Sequence, residues 1–218
     1  MSAVTKSNGK AYVVQDIAAD PSICMNFIKD VKNYDKYVKS VKKVTIYEKS
    51  KNMLGIEEMK ATYDVAVFAI KFRYFMIMKY NPRLNTFTWT LDYSRNSDFD
   101  DNVGHWQVMK HPSKNGWTRV LYSCQVKLFS WVPGIVVNFL TKTALFEATA
   151  WVKKASEDAA KLQAIKNNKP WFTSKAKLDS LRTNILSKIN EKRENDINFW
   201  REKSNLFQIK INKLFNKV

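Results

Sequence analysis

The chain has 218 residues, is 45% hydrophobic with only five Gly and five Pro, and carries a formal net charge of +17, which suits one globular domain with a real core plus an appendage. No run approaches the ~20 apolar residues of a membrane-spanning helix, residues 1–10 lack the apolar stretch of a secretory signal, and Ser2 in place of Gly excludes N-myristoylation. The expectation is an intracellular protein, soluble or peripheral to a membrane, with a mitochondrial location left open.

Residues 11–18 read as a first strand, after which Asp20 and Pro21 supply an N-cap and a proline at the first helical position. Ile23, Cys24, Phe27, Ile28 and Val31 keep a helical period behind them. Residues 34–37 form a linker or a second short helix. From Val41 the pattern is strand-like for almost ninety residues.

Over residues 59–67 the odd positions Met59, Ala61, Tyr63, Val65 and Val67 are apolar or aromatic, with Lys60, Thr62 and Asp64 between them. Over 70–80 the even positions take over as Ile70, Phe72, Tyr74, Met76, Met78 and Tyr80. A two-residue connection at Phe68-Ala69 then pairs Val67 with Ile70, Val65 with Phe72 and Tyr63 with Tyr74, which puts both apolar sets on one face. Neither connecting residue readily takes positive φ, so a longer loop is the other reading.

Residues 81–85, Asn-Pro-Arg-Leu-Asn, are a turn by composition. Phe87, Trp89, Leu91 and Tyr93 then point one way, and Thr88, Thr90 and Asp92 the other. A polar loop over 95–103 precedes Trp106 and Val108, and a turn near Pro112 and Gly116 precedes Val120, Tyr122, Cys124, Val126 and Leu128. The count is about seven strands, one before the first helix and six after it.

Pro133 opens a final helix of roughly thirty residues, or ~45 Å, long enough to cross the whole sheet. Centred on Ala144, its apolar face gathers Val137, Leu140, Ala148, Trp151, Ala155 and Leu162, with Lys142 and Lys153 opposite. A second stripe, Ile135, Phe139, Phe146 and Ala150, lies on its back. Residues 166–218 hold 13 Lys/Arg against 5 Asp/Glu, nearly half of the excess charge. Their apolar residues Leu178, Leu181, Ile185, Ile189, Trp200, Phe207, Ile211 and Leu214 fall at helical spacing with a break near Asn195. The organisation expected is a domain over 10–165 and a basic amphipathic helical extension over 166–218.

Cys24 and Cys124 lie on different elements without metal-ligand spacing and read as two buried thiols. His105 and His111 read as surface or edge histidines. Asp98, Asp100, Asp101 and Asn102 fall short of a calcium loop, because Gly104 is at the seventh position and Met109 stands where a bidentate Glu belongs. No metal and no cofactor are expected.

The order of strand, helix pair, six-stranded meander and long helix resembles the START-like (SRPBCC) superfamily, an α+β helix-grip fold that includes lipid-transfer domains, polyketide cyclase/dehydrase-type proteins and coenzyme-Q-binding proteins. The local likeness is to the last group. It is carried by Trp89-Thr90-Leu91-Asp92-Tyr93-Ser94, Ser97-Asp98-Phe99-Asp100-Asp101, Gly104-His105-Trp106, Trp117-Thr118-Arg119-Val120-Leu121-Tyr122, Trp131-Val132-Pro133-Gly134 and Ala148-Thr149-Ala150-Trp151-Val152. The resemblance covers residues 12–157. It implies an internal hydrophobic cavity between sheet and helix, with loops near Phe68, near Phe99 and at 129–132 around its mouth.

The residues expected to line that cavity are Tyr63, Val65, Phe72, Tyr74, Met76, Met78, Trp89, Leu91, Trp106, Val108, Tyr122 and Cys124 from the sheet, and Val137, Leu140, Ala144 and Ala148 from the helix. Buried phenols and indoles need hydrogen-bond partners, which a pocket supplies. Burying ~400 Å² of an isoprenoid or acyl chain at about 25 cal/mol/Å² is worth on the order of 10 kcal/mol before association costs, so a polyprenyl quinone or phospholipid needs no charged anchor. Phe68, Phe99, Phe129, Trp131 and Val132, beside Lys127, are the expected gate and contact with an anionic membrane surface.

Catalysis finds little support in the same parity. Glu58, Asp64, Asp92, Arg73 and Arg119 all fall on the outward set, and only Glu147 nears the helix's inner margin. The leading expectation is therefore a non-enzymatic carrier. The alternatives are a ribosome- or RNA-associated protein, which the basic tail suits but no RNA-binding motif supports, and a polyketide-cyclase-like enzyme.

Overall fold

The computed structural model describes the backbone of residues 2–7, 10–67 and 70–167 together with 183, 184, 187 and 191, and side chains from residue 12 except 68, 69, 135, 138–147 and those beyond 165 other than these four. The chain divides into two compact units, Met1–Lys161 and Leu162–Val218. In the second, residues 162–167 are helical, as are Thr183, Asn184, Ser187 and Glu191. The apolar residues of the extension expected from Leu178 to Leu214 lie outside the described residues.

The first unit holds an antiparallel sheet of eight strands: β1 (Ser2–Ser7), β2 (Lys10–Ile17), β3 (Val41–Lys51), β4 (Glu57–Val67), β5 (Ile70–Asn81), β6 (Thr86–Leu91), β7 (Asp101–Lys110) and β8 (Thr118–Lys127). Their order across the sheet is β1-β2-β8-β7-β6-β5-β4-β3. Between β2 and β3 run α1 (Pro21–Lys29) and a 3-10 turn (Val31–Lys36), and α2 (Gly134–Asn167) follows β8. This is the helix-grip arrangement anticipated from the order of the elements.

Two details of the strand count differ from the sequence reading. β1 is an additional strand, paired with β2 from Ser2↔Gln15 to Ser7↔Lys10. Its residues show no apolar alternation because an edge strand is held by backbone bonds, although the Asn8-Gly9 dipeptide between the paired Ser7 and Lys10 is a hairpin signal. β7 begins at Asp101, inside the stretch expected to be a polar loop.

α1 starts as its sequence dictates. The Asp20 carboxylate accepts from the Ser22 amide at 2.8 Å and from the Ser22 hydroxyl at 2.6 Å, with Pro21 at the head of the helix. Cys24, Met25 and Ile28 are buried. The β4-β5 register is the anticipated one, Val67↔Ile70, Val65↔Phe72 and Tyr63↔Tyr74, with the connecting Phe68 and Ala69 outside the described residues.

α2 is turned from its expected orientation. The positions buried in its second half are Thr149, Val152 and Ser156, about 110° round the helix from Ala144 at ~100° per residue. Lys153, expected to face outward, donates from Nζ to the Asp16 carbonyl at 2.8 Å and pairs with Glu157 at 2.6 Å. Glu157 also accepts from the Ala18 amide at 3.1 Å. Small Thr and Ser side chains let the helix approach closely, and a count of apolar residues does not register them. Trp151 is half-buried and stacks on Tyr37 at 5.2 Å between ring centroids. Leu140, Ala144, Lys142 and the back-stripe residues Ile135, Phe139 and Phe146 lie outside the described side chains, while Ala150 is exposed.

Candidate functional site

Period-2 alternation carried through five paired strands collects the large side chains on one face. Across β4 to β6 the register sets Ala61↔Met76, Met59↔Met78, Met76↔Leu91 and Met78↔Trp89. Across β6 to β8 it sets Phe87↔Trp106, Trp89↔Gly104, Gly104↔Cys124, Trp106↔Tyr122 and Val108↔Val120. Of the expected lining residues, Tyr63, Val65, Phe72, Tyr74, Met76, Met78, Trp89, Leu91, Trp106 and Val108 are buried on this face. Tyr122, Cys124, Val137 and Ala148 are half-buried, and Leu140 and Ala144 lie outside the described side chains.

The rings form two packed groups. Tyr63 stacks on Tyr74 at 5.3 Å and Tyr74 on Phe99 at 4.6 Å. Trp89 stacks on Tyr122 at 5.7 Å, and Trp106 lies tilted against Tyr122 at 4.3 Å. Two polar tips of the face find partners within the protein: Tyr63 donates to Met78 Sδ at 3.4 Å, and the Trp89 indole donates from Nε1 to Asn102 Oδ1 at 3.0 Å. Asn102, weighed in the sequence only as part of a calcium loop, is a residue of this face that the expected lining set lacks. Counting back by twos from Trp106 through Gly104 reaches it, but its polar neighbours over 95–103 read as a loop.

Burial dominates the electrostatics. Desolvation pushes the Tyr63, Tyr74 and Tyr122 phenols well above their ordinary range and the Cys124 thiol up to about 11. Tyr122 and Cys124 nevertheless retain accessible surface.

The outward set is closed by ion pairs. Glu58 meets Lys79 at 3.1 Å, Asp64 meets Arg73 at 2.7 Å, and Asp16 meets Arg119 at 2.8 Å. Asp92 is buried and accepts from the Tyr47 hydroxyl at 2.8 Å and the Ser94 hydroxyl at 2.5 Å. Serine and tyrosine donors hold its carboxyl below the usual range despite burial. Tyr93, expected to point inward with Leu91, is 70% exposed, because β6 ends at Leu91 and the Tyr93 hydroxyl donates to Asp101 at 2.7 Å. Glu147 lies outside the described side chains.

His111 corrects the reading of an edge histidine. Its ring is buried against Asp16 at 3.1 Å from Nε2, and its Nδ1 accepts from the Ser113 and Lys114 amides at 3.1 and 3.0 Å. Both ring nitrogens are engaged, so the residue staples the turn after β7 to β2. His105 Nδ1 lies 2.8 Å from the Ser123 hydroxyl. Among the described residues no group of three or more His, Cys, Asp or Glu could hold a metal.

Of the expected gate residues, Phe68 lies outside the described residues, whereas Phe99 and Val132 are buried and Phe129 and Trp131 are 38% and 61% exposed. The Phe99 loop is anchored from both sides. The Asp98 carboxylate accepts from the Arg73 amide at 2.6 Å, and Asp100 pairs with Lys127 at 2.5 Å. Phe99 and Phe129 share the wall of an open depression of about 370 Å³ with Leu91, Tyr93 and Arg95. Among the described residues no helix is long and apolar enough to cross a membrane.

A family model described as polyketide cyclase / dehydrase and lipid transport matches residues 17–151. No curated protein matches the chain. Among solved structures, the chain is similar to a START superfamily protein from Mycobacterium smegmatis, with 16% identity, a TM-score of 0.56, and coverage of 69% of this chain and 98% of that one. It is similar to the Zhui aromatase/cyclase from Streptomyces sp. R1128, with 12% identity, a TM-score of 0.56, and coverage of 71% and 94%. It is also similar to a STAR-related lipid transfer protein from Xanthomonas axonopodis, with 11% identity, a TM-score of 0.52, and coverage of 70% and 97%. At these identities the likenesses establish the fold alone.

Proposed function

Because the chain belongs to the polyketide cyclase/dehydrase and lipid transport family, we propose that it is a non-enzymatic carrier of a hydrophobic small molecule held between the sheet and α2, a polyprenyl quinone or a phospholipid. The observation that carries this reading is the inner face itself. Its rings and thioethers are gathered in register by five strands, and Tyr122 and Cys124 stay reachable at a depth where their ionisation is suppressed. Such a wall binds apolar surface through the hydrophobic effect and orients a polar end through a few tips.

An acid-base enzyme needs a titratable group poised near the working pH. Burial moves the phenols and the thiol of the inner face away from it, and Glu57, at the strand end of the same set, pairs with Lys29 at 2.8 Å, which holds its carboxyl below the usual range; this favours the carrier over the cyclase reading. The exposed Phe129 and Trp131 at the rim suit exchange of cargo at an anionic membrane surface.

The test is organic extraction of the purified protein followed by lipid and quinone mass spectrometry, together with uptake of fluorescent lipid and quinone probes. A stoichiometric hydrophobic molecule in the extract, or saturable uptake, is the expected result. A clean extract with no uptake of any probe overturns the proposal.

A further inference from the structure

We infer that the Asn102 carboxamide is a recognition donor built into the inner wall, and that the bound molecule presents a neutral acceptor oxygen, of the carbonyl class, to its Nδ2. The inference rests on the carrier reading and names the chemistry that reading leaves open.

Asn102 belongs to the inward set of β7, opposite Val126 and two residues before Gly104, which lies opposite Cys124. It is 7% exposed. Its Oδ1 accepts from Trp89 Nε1 at 3.0 Å and lies 3.8 Å from Cys124 Sγ. An indole N–H can only donate, so the amide oxygen must face Trp89 and the NH2 is left over. No described residue accepts from that nitrogen. It is not sealed in the packing either, since the Ser156 hydroxyl is the one fully buried side-chain polar atom without a partner among the described residues.

The placement depends on Gly104. A Cβ there would meet Trp89 Cζ2 at 2.3 Å and Cε2 at 2.8 Å, so the missing side chain is what lets the indole cross β7 and pin the amide. A pinned amide with an open donor, in a wall where unpaired polar groups are costly, is preorganised for an acceptor. Among the described inward positions of β4 to β8 the one Lys or Arg is Lys110, which is exposed at the opposite end of β7 from Asn102, and burial disfavours the ionised forms of Tyr122 and Cys124 beside the amide. Both facts favour a neutral carbonyl over a carboxylate or phosphate at this point.

The test compares acdan, a fluorophore with an acetyl group, with dimethylaminonaphthalene, which lacks that group, on the full-length protein. We expect acdan to bind about tenfold more tightly, the worth of one hydrogen bond to a desolvated donor, with its emission moved to the red by the bond to its carbonyl. Asn102→Leu brings the two dissociation constants within about twofold and removes the red shift. Equal affinities on the unmodified protein overturn the inference while the carrier reading stands, and this comparison does not depend on the variant folding. A folded Asn102→Leu protein that still discriminates about tenfold also overturns it. Uptake of neither fluorophore overturns the inference, while the carrier reading is decided separately by the extract and the lipid and quinone probes.

Discussion

The Trp89 indole fills the space that a side chain at Gly104 would need. A Cβ at position 104 would sit 2.3 Å from Trp89 Cζ2 and 2.3 Å from the Ser123 carbonyl oxygen. A ring can swing away, but a backbone carbonyl in the β7-β8 ladder cannot. Gly104→Ala is therefore expected to cost about 2–3 kcal/mol, the range of overpacked core positions, and to alter tryptophan emission. Urea unfolding measures it, and a change below about 0.5 kcal/mol, as surface substitutions give, contradicts this placement of Trp89.

Asp16 supplies a pH-dependent part of the stability. Arg119 hydrogen-bonds it at 2.8 and 3.1 Å, and His111 Nε2 lies 3.1 Å away. The Arg119 guanidinium, followed by His111, holds its carboxyl far below the ordinary range. A depressed carboxylate contributes stability that is full above its unfolded value near pH 4 and lost as pH falls toward the folded value. Asp16→Asn should cost about 2 kcal/mol at neutral pH. Its deficit relative to the parent should shrink as pH is lowered from about 4. Chemical unfolding of both proteins from pH 7 downward checks this, and a deficit independent of pH counts against the pairing.

Cys124 reports on occupancy of the inner face. With its thiol pushed up to about 11, its thiolate fraction at pH 8 is on the order of a thousandth. Alkylation by iodoacetamide at pH 8 should be slow, accelerate as pH rises toward 11, and slow further when acdan or a lipid probe is bound. Fast labelling of Cys124 at pH 8, read by peptide mass spectrometry, is incompatible with the desolvated position.

Phe129 and Trp131 separate membrane contact from folding. Phe129 is 38% exposed and Trp131, 61% exposed, stacks on Phe72 at 6.5 Å, so their joint replacement by Ser should cost about 1–2 kcal/mol and leave the protein folded. The same replacement should weaken cosedimentation with phosphatidylserine vesicles several-fold. Unchanged cosedimentation removes this rim as the membrane contact.

Ser156 offers a test of how α2 is seated. Its hydroxyl is fully buried against the Cys24 thiol, so Ser156→Ala gives up at most a weak contact to sulfur and should leave stability within about 1 kcal/mol of the parent. Clear destabilisation on thermal unfolding argues that this face of the helix is not turned inward.

The sequence by itself determined the helix-grip order, the Asp20 cap, the β4-β5 register and ten of the buried lining residues, because each is written locally: a period of two, a capping residue, a proline. It did not determine β1, whose edge position leaves no apolar stripe, nor the seating of α2 on Thr149 and Ser156, whose small size rather than apolarity admits them. Only the tertiary structure decided that His111 is buried against Asp16, that Tyr93 turns outward, and that Asn102 is held by Trp89 across Gly104. These are contacts between side chains on different strands. Alternation within a strand says which way a residue points, whereas the partner of a polar atom is fixed by the distance between elements once the sheet has closed.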